Sequence, residues 1–482
     1  MNKLDRRKFY IDGEWVEPVE PSNFEVFSPV TEDSVATISM GVVEDIDLAV
    51  QAARRAFESW SVSTIDERTE LLQNILTVYK KRYDEMAEVI SLELGAPISM
   101  SRKSQAACGV GHLESFLAAL GRLNLRQQLD NGDLLMREPV GVCGLITPWN
   151  WPVNQIALKV LPALATGCTC VLKPSELTPL SALLYAEILH EAGVPKGVFN
   201  LVNGEGPVAG AALSRHTDVD MMSFTGSTRA GVAVTRDAAE TVKKVTLELG
   251  GKSPNILFAD ADLENAVKRG VFACFYNSGQ SCNAPTRMLV ERSIYDEVLQ
   301  IAKATGESQQ VGDPAKEGRH IGPVVSALQF DRIQELINAG VSEGATLLVG
   351  GPGKPDGFRK GHYVRPTIFS DARNYMRIAR EEIFGPVLSI IPFEDEDEAI
   401  RIANDTPYGL AAYVETADAD KADRVAGKLR AGQVYINGAD CAYGSPFGGY
   451  KLSGLGREGG LFGLEDFLEI KAVSNHSSST TK

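Results

Sequence analysis

The sequence predicts an α/β protein built on parallel, doubly wound sheets. Three observations lead there. Between residues 140 and 251, short apolar runs alternate with stretches of helical spacing, the pattern of successive strand–helix–strand units. The same alternation returns, less regularly, over residues 262–450. The apolar runs of the first region close on short polar or glycine-containing segments: Pro148-Trp149-Asn150, Lys173-Pro174-Ser175-Glu176, Thr225-Gly226-Ser227-Thr228 and Glu248-Leu249-Gly250-Gly251. In such sheets ligands bind beyond the carboxyl ends of the strands, so these segments are where a ligand would be met.

Length and composition set bounds. A chain of 482 residues with 44% hydrophobic and 23% charged residues is ordinary for a soluble protein of two or three domains. A net charge of −15, from 48 basic and 63 acidic residues, speaks against a nucleic-acid or anionic-membrane partner. No apolar run approaches the ~18 residues of a membrane span, and the charged start Met1–Lys8 is unlike a secretory signal. Seven cysteines, at 108, 143, 168, 170, 274, 282 and 441, form no C-x-x-C pair, and an odd, scattered set reads as reduced thiols in the cytoplasm. Six dispersed histidines give no support for a metal site.

Taken in order, Phe9-Tyr10-Ile11, Asp12-Gly13 and Glu14-Trp15-Val16 predict a hairpin with a two-residue turn. Helical spacing follows from Val43 to Leu92. Asp45 is expected to cap a helix bearing Ile46, Ala49, Val50, Ala53 and Phe57, and Asp66 a second bearing Leu71, Leu72, Ile75, Leu76 and Tyr79. A third helix is expected near 105–120. Residues 123–139, with Asn131-Gly132-Asp133 between alternating positions, read as a projecting hairpin, either a subunit contact or a solvent-facing loop. Strands are then expected at Val140–Thr147, Thr169–Leu172, Val198–Val202, Val219–Phe224 and Val245–Leu249. The helices between them include one capped by Thr178, with Pro179 in its first turn and Gly193 past its end.

Each chemically suggestive segment has two readings. Gly226-Ser227-Thr228, opening a helix after a strand, is either a phosphate cradle or a capped glycine turn. Lys173 and Glu176 could bond ribose hydroxyls or form a surface ion pair. Glu248, among leucines and glycines, is a base with its pKa raised by burial or a turn-capping carboxylate. Asn150 is an oxyanion donor or a turn asparagine. Cys282 ends the small, polar run Phe275-Tyr276-Asn277-Ser278-Gly279-Gln280-Ser281; it is a nucleophile or one more small buried thiol.

In their order and spacing these segments resemble the aldehyde dehydrogenase superfamily, together with Lys252 after Gly251, Glu382-Ile383-Phe384-Gly385-Pro386, and Pro446-Phe447-Gly448-Gly449-Tyr450-Lys451 with Ser453-Gly454. The resemblance spans nearly the whole chain. It implies Cys282 as nucleophile, Asn150 and the Cys282 N–H as oxyanion donors, Glu248 as the base that hydrolyses a thioester, and Lys159 and Glu458 as a proton relay behind that base. It implies an NAD site lined by Ile146, Thr147, Trp149, Gly206, Phe224, Gly226 and Leu249, with Ser227 at the pyrophosphate. Lys173 and Glu176 would meet the adenosine ribose, and Glu382 and Phe384 the nicotinamide ribose. Glu176 would accept from a 2′-hydroxyl and repel a 2′-phosphate, which favours NAD over NADP. By the same resemblance Trp151, Gln155, Leu158, Tyr276, Ser281, Cys441 and Phe447 line the aldehyde path. That set has no Arg or Lys, which suits an uncharged aliphatic or aromatic aldehyde better than an anionic one.

The implied architecture is aldehyde-dehydrogenase-like: an NAD-binding domain (1–116 and 140–251), a catalytic domain (252–452), and a small β element (117–139 and 453–482) that bridges subunits in a homodimer or homotetramer. The implied activity is NAD-dependent oxidation of an aldehyde to its acid, in the cytoplasm. Two alternatives stay open on sequence: a CoA-acylating relative, which would do without Glu248, and a non-catalytic, crystallin-like structural protein. Ser281, Asn283 and Pro285-Thr286 depart from the residues commonest around the nucleophile in that family, so the substrate is left unnamed.

Overall fold

A computed structural model describes residues 3–475. An eight-stranded sheet runs in the order Gly454–Leu455, Lys244–Glu248, Met221–Thr225, Val142–Ile146, Thr169–Lys173, Phe199–Leu201, Phe9–Ile11, Glu14–Val16. Its five middle strands are parallel. From Val142–Ile146 the chain steps outward through Thr169–Lys173 and Phe199–Leu201. It then returns to the other side with Met221–Thr225 and Lys244–Glu248. That reversal leaves a crevice beyond the carboxyl ends of Val142–Ile146 and Met221–Thr225. Val142–Ile146, Thr169–Lys173 and Met221–Thr225 are buried throughout, which is why they read as continuous apolar runs without alternation. The helix Pro152–Thr166, buried at nearly every position, packs on the same layer.

The second parallel sheet has seven strands, in the order Thr346–Val349, Thr367–Ser370, Val387–Phe393, Arg287–Glu291, Pro254–Leu257, Ala411–Glu415, Gln433–Ile436, with an antiparallel pair at one edge. The two sheets meet closely: a Cβ built on Gly251 would lie 2.4 Å from the carbonyl oxygen of Cys282. A three-stranded antiparallel sheet joins Arg126–Gln128 and Leu134–Pro139 to the chain's last strand, Leu468–Val473. A further small sheet holds Leu4–Arg6, Ser34–Ser39 and Asn23–Phe27.

Several local expectations hold. The first hairpin turns at Asp12 and Gly13, both with positive φ (53° and 79°), the type I′ geometry that matches strand twist. Residues 123–139 form the expected hairpin, and its third strand comes from the far end of the chain.

Others are corrected. Asp45 does not cap its helix from the N-cap position. The helix starts at Val43, and the buried Asp45 carboxylate reaches back to accept from Val42 N and Val19 N, 2.9 Å each, tying in the preceding loop. The cap of Ile65–Lys81 is Thr64 rather than Asp66, in a reciprocal box with Glu67. The helix expected near 105–120 is Ala107–Leu120, preceded by a π-helical turn at Ser101–Gln105, and a separate helix, Tyr83–Leu94, comes before both. Thr178 does precede Pro179–Glu191, but no side-chain cap bond forms there. Instead the buried Glu93 carboxylate accepts from Leu180 N (2.6 Å) and Ser181 N (3.0 Å).

Candidate active site

The strand ends of the first sheet and the loop before Arg287–Glu291 enclose one cavity of about 180 Å³. Asn150, Gln155, Ser227, Glu248, Cys282 and Glu382 line it, with Trp149, Thr225, Gly226, Leu249 and Phe384. Cys282 stands half-exposed on the wall. Burial raises its thiol pKa, and the nearby carboxylates of Glu382 and Glu248 raise it further; the backbone N–H groups of Asn283 and Cys282 pull the other way. These N–H groups are thus directed where negative charge on or near the sulfur would be stabilised.

The loop that carries the cysteine is held tightly. Tyr276–Gly279 forms a short turn in which Asn277 and Ser278 take left-handed φ of 52° and 57°. Asn277 Nδ2 donates to the carbonyls of Asn150 (2.9 Å) and Gln280 (3.2 Å). Asn150 Nδ2 donates to the Gln280 carbonyl at 3.0 Å, its one bond among the described residues, which leaves a second N–H for an oxyanion. Gln280, buried, locks the loop from within by accepting from Val325 N at 2.9 Å.

Glu248 ends its strand with the carboxylate buried and both oxygens without a hydrogen-bond partner. Burial raises its pKa well above the carboxylate range, and Glu458 adds to this; Lys159 and Arg457 oppose it. A Cβ on Gly448 would fall 2.7 Å from Glu248 Oε1, so a larger residue there would displace the carboxylate. Behind it Lys159, 1% exposed, donates to Glu458 Oε1 at 2.6 Å and to Ser223 Oγ at 3.0 Å. The structure therefore brings Lys159, Glu458 and Glu248 into one buried charge cluster.

Of the expected dinucleotide residues, Trp149, Gly226, Ser227, Leu249, Glu382 and Phe384 line the cavity, while Ile146, Thr147, Lys173, Glu176, Gly206 and Phe224 do not. Ser227 is the N-cap of Thr228–Ala239, its Oγ accepting from Ala230 N at 3.3 Å. A Cβ on Gly226 would strike the Phe224 ring at 2.6 Å, so the turn needs glycine for close approach. Lys173 is buried, not at the surface; Nζ donates to the Pro174 carbonyl (2.8 Å) with Glu176 Oε2 3.6 Å away. Ile146 and Lys173 flank Gly210, at 3.6 and 3.7 Å from a Cβ placed there, and a Cβ on Gly206 would meet nothing within 4 Å. Thr147 follows the central strand and donates its N–H to the Lys173 carbonyl at 3.2 Å. Glu382 Oε1 accepts from Gly251 N at 2.8 Å, and a Cβ on Gly250 would collide with its Oε2 at 2.3 Å. Phe384 sits edge-on to Trp149, ring centres 5.3 Å apart. A glycine-shaped crevice and a capped helix N-terminus suit the pyrophosphate of a dinucleotide, and the carboxylates of Glu176 and Glu382 are the acceptors that ribose hydroxyls would need.

The residues expected along the aldehyde path are spread more widely. Trp151 Nε1 donates to Ser281 Oγ at 2.8 Å, and its ring lies 6.2 Å from Tyr276. Gln155 is buried beside Cys282 with Oε1 unpartnered. Leu158 packs within the apolar core and does not line the cavity. Cys441 is exposed on its loop, and Phe447 exchanges backbone bonds with Glu458. Sequence reasoning missed Ser223, Asn277, Gln280 and Tyr443. Tyr443 packs on the bare Cα of Gly111 and edge-on to His112 at 5.0 Å. Asn277 and Gln280 stood in the small, polar run before Cys282 without a role assigned, and Ser223 carried a signal as the polar residue inside the apolar run Met221-Met222-Ser223-Phe224.

The profile of the aldehyde dehydrogenase family matches residues 15–473. This chain belongs to that family. It is 53% identical to the 3-succinoylsemialdehyde-pyridine dehydrogenase of a Pseudomonas species, over 98% of this chain and all of the relative. It superposes with a TM-score of 0.96 on the crystal structure of aldehyde dehydrogenase from Bartonella henselae, at 53% identity over 98% of this chain and 99% of that one. It matches equally well, at 51% identity, TM-score 0.96 and 97% and 96% coverage, a cysteine-to-alanine variant of aldehyde dehydrogenase C from Pseudomonas syringae solved with NAD⁺ and octanal. No helix among the described residues is long and apolar enough to cross a membrane.

Proposed function

We propose that this protein oxidises an uncharged aldehyde to the carboxylic acid with NAD, through a thioester on Cys282 that Glu248-activated water hydrolyses. The observation that carries the reading is the shared cavity of Cys282, Asn150 and an unpartnered Glu248. Cys282 Sγ, on losing its proton, forms a bond to the carbonyl carbon. The oxygen gains the negative charge and is held by the Asn150 amide and the Cys282 N–H. Bound NAD supplies the hydride acceptor. Loss of hydride from that carbon re-forms the C=O and leaves the acyl group on sulfur. Glu248, deprotonated, then takes a proton from water as its oxygen attacks, and the C–S bond breaks to release the acid and the Cys282 thiolate, to which Glu248 can return that proton.

The raised pKa of Glu248 sets a condition on this step: the base must first lose its own proton. Lys159 favours that loss and Glu458 opposes it, which gives the buried cluster its part in timing the base. Glu176, 3.6 Å from Lys173 at a strand end, supports NAD over NADP. The small β sheet, whose edge strand Leu468–Val473 exposes Ile470, supports a homodimer or homotetramer.

Trp151, bonded to Ser281 beside the nucleophile and 6.2 Å from the Tyr276 ring, supports a neutral aliphatic or aryl-bearing aldehyde, although one cation, Arg332, lines the cavity of Cys282. The names of the two relatives point the same way: one acts on a pyridine semialdehyde, the other was solved with octanal. The deciding experiment is kcat/KM for octanal, 3-succinoylsemialdehyde-pyridine and succinic semialdehyde with NAD and with NADP. Preference for succinic semialdehyde sinks the substrate reading. Formation of acyl-CoA when CoA is added, in place of free acid, overturns the role of Glu248.

A further inference from the structure

A second cavity, wider than the catalytic one, lies behind the cysteine loop. This space of about 580 Å³ lies against Asn277 and Ser278, the turn that carries the catalytic cysteine loop, and that volume is typical of a small-molecule site. We propose that this cavity is a regulatory site for an amphiphilic monocarboxylate, the chemical class of the reaction's product, acting on the oxyanion donor through Asn277. The choice of ligand class rests on the function proposed above.

The lining specifies the chemistry. Met100, Phe272 and Ile321 offer apolar surface, Phe272 being 45% exposed, and Tyr276, which faces Trp151 on the proposed aldehyde path, forms the wall between the two spaces. Lys103 and Arg319 bring two cations. Neither makes an ion pair among the described residues, whereas the adjacent Arg102 is engaged by Glu317 at 2.6 Å and Asp84 at 3.3 Å. In a chain with 63 acidic residues, no Asp or Glu lines this cavity. An apolar pocket with two unpaired cations and no acid selects a ligand with an apolar body and one negative end.

The route to the catalytic site is short. Asn277 and Ser278 hold consecutive left-handed φ, a strained pair that persists only because its surroundings fix it. Ser278 Oγ donates to the Gly322 carbonyl at 2.8 Å, next to the lining residue Ile321. Asn277 Nδ2 donates to the Asn150 carbonyl at 2.9 Å. A ligand that binds one arrangement of this turn more tightly than another shifts Asn150 with it. The effect falls on kcat and does not require competition with the aldehyde.

The test uses octanoate as probe, with octanol as its uncharged counterpart. Calorimetric titration and steady-state inhibition are run on the wild type and on a Lys103→Gln/Arg319→Gln double variant. The proposal expects octanoate to bind the wild type and lower kcat at saturating aldehyde, with octanol far weaker. The double variant should keep its basal kcat/KM while octanoate binds it about tenfold less tightly. Three outcomes overturn it: no binding in the millimolar range, inhibition purely competitive with aldehyde and equal in the variant, or binding lost in the variant with kcat never affected. Calorimetry reads binding whether or not octanal is a substrate, so failure of the substrate reading would show in the aldehyde panel and leave this result interpretable.

Discussion

Burial and the carboxylates of Glu382 and Glu248 hold the Cys282 thiol above its ordinary pKa, so the cofactor-free protein carries a protonated nucleophile at neutral pH. Only the thiolate alkylates. The rate of iodoacetamide labelling at Cys282 is therefore expected to be slow at pH 7 and to climb with pH into the alkaline range. Glu382→Gln removes a negative neighbour, lowers the thiol pKa and should speed labelling at pH 7; a slower or unchanged rate would contradict the assignment of that charge. The base obeys the same logic in reverse. Glu248 is raised by burial and by Glu458, so steady-state turnover limited by deacylation should rise with pH to well above the usual carboxylate range. Glu458→Gln removes the like charge, and the rising limb of the kcat profile should move to lower pH. Glu248→Gln leaves acylation possible and hydrolysis impaired: a pre-steady-state burst of NADH followed by turnover slower by roughly 10²–10⁴-fold. Loss of the burst would place Glu248 in the first half-reaction instead.

Strand ends and their glycines do the positioning. Gly250 and Gly448 are ordinary loop glycines by sequence, but each lies where a single methyl group would meet a working carboxylate, at 2.3 Å from Glu382 and 2.7 Å from Glu248. Gly250→Ala is expected to raise the KM for NAD about tenfold or more and to leave the KM for aldehyde nearly unchanged, since Glu382 sits on the cofactor side of the cavity. Equal effects on both constants would show general distortion of the loop. Glu176→Ala, read as the ratio of kcat/KM for NADP to that for NAD, should rise; a ratio that stays put would remove Glu176 from cofactor choice. At this scale the sequence was legible where burial is uniform. Parallel strands buried on both faces leave unbroken apolar runs, and their polar ends stand out against them. Helix starts were legible less well. The Asp45 and Asp66 expectations failed because capping depends on where a side chain can reach, and Asp45 was drawn inward by the distant Val19 N–H.

The whole molecule closes on itself through residues far apart in sequence. Lys159 and Glu458, 299 positions apart, form the buried ion pair behind the base, and Leu468–Val473 completes the sheet begun by Arg126–Gln128. That sheet ends in an exposed edge carrying Ile470, 68% exposed. If it joins subunits as proposed, sedimentation should give a dimer or tetramer for the wild type, and Ile470→Asp should shift it toward smaller species. A monomer in both cases would return the sheet to a solvent-facing role. The sequence by itself determined the order of strands and helices and the residues placed at their ends, because backbone burial imposes local patterns of apolar spacing. Only the tertiary structure decided the state of those residues. It left Glu248 without a partner, raised the Cys282 thiol and held Asn277 in a strained turn against a second cavity. The leucines and glycines around Glu248 foreshadowed its burial, but charge proximity is set by neighbours such as Glu458 and Glu382, far off in sequence, and no local pattern encodes it.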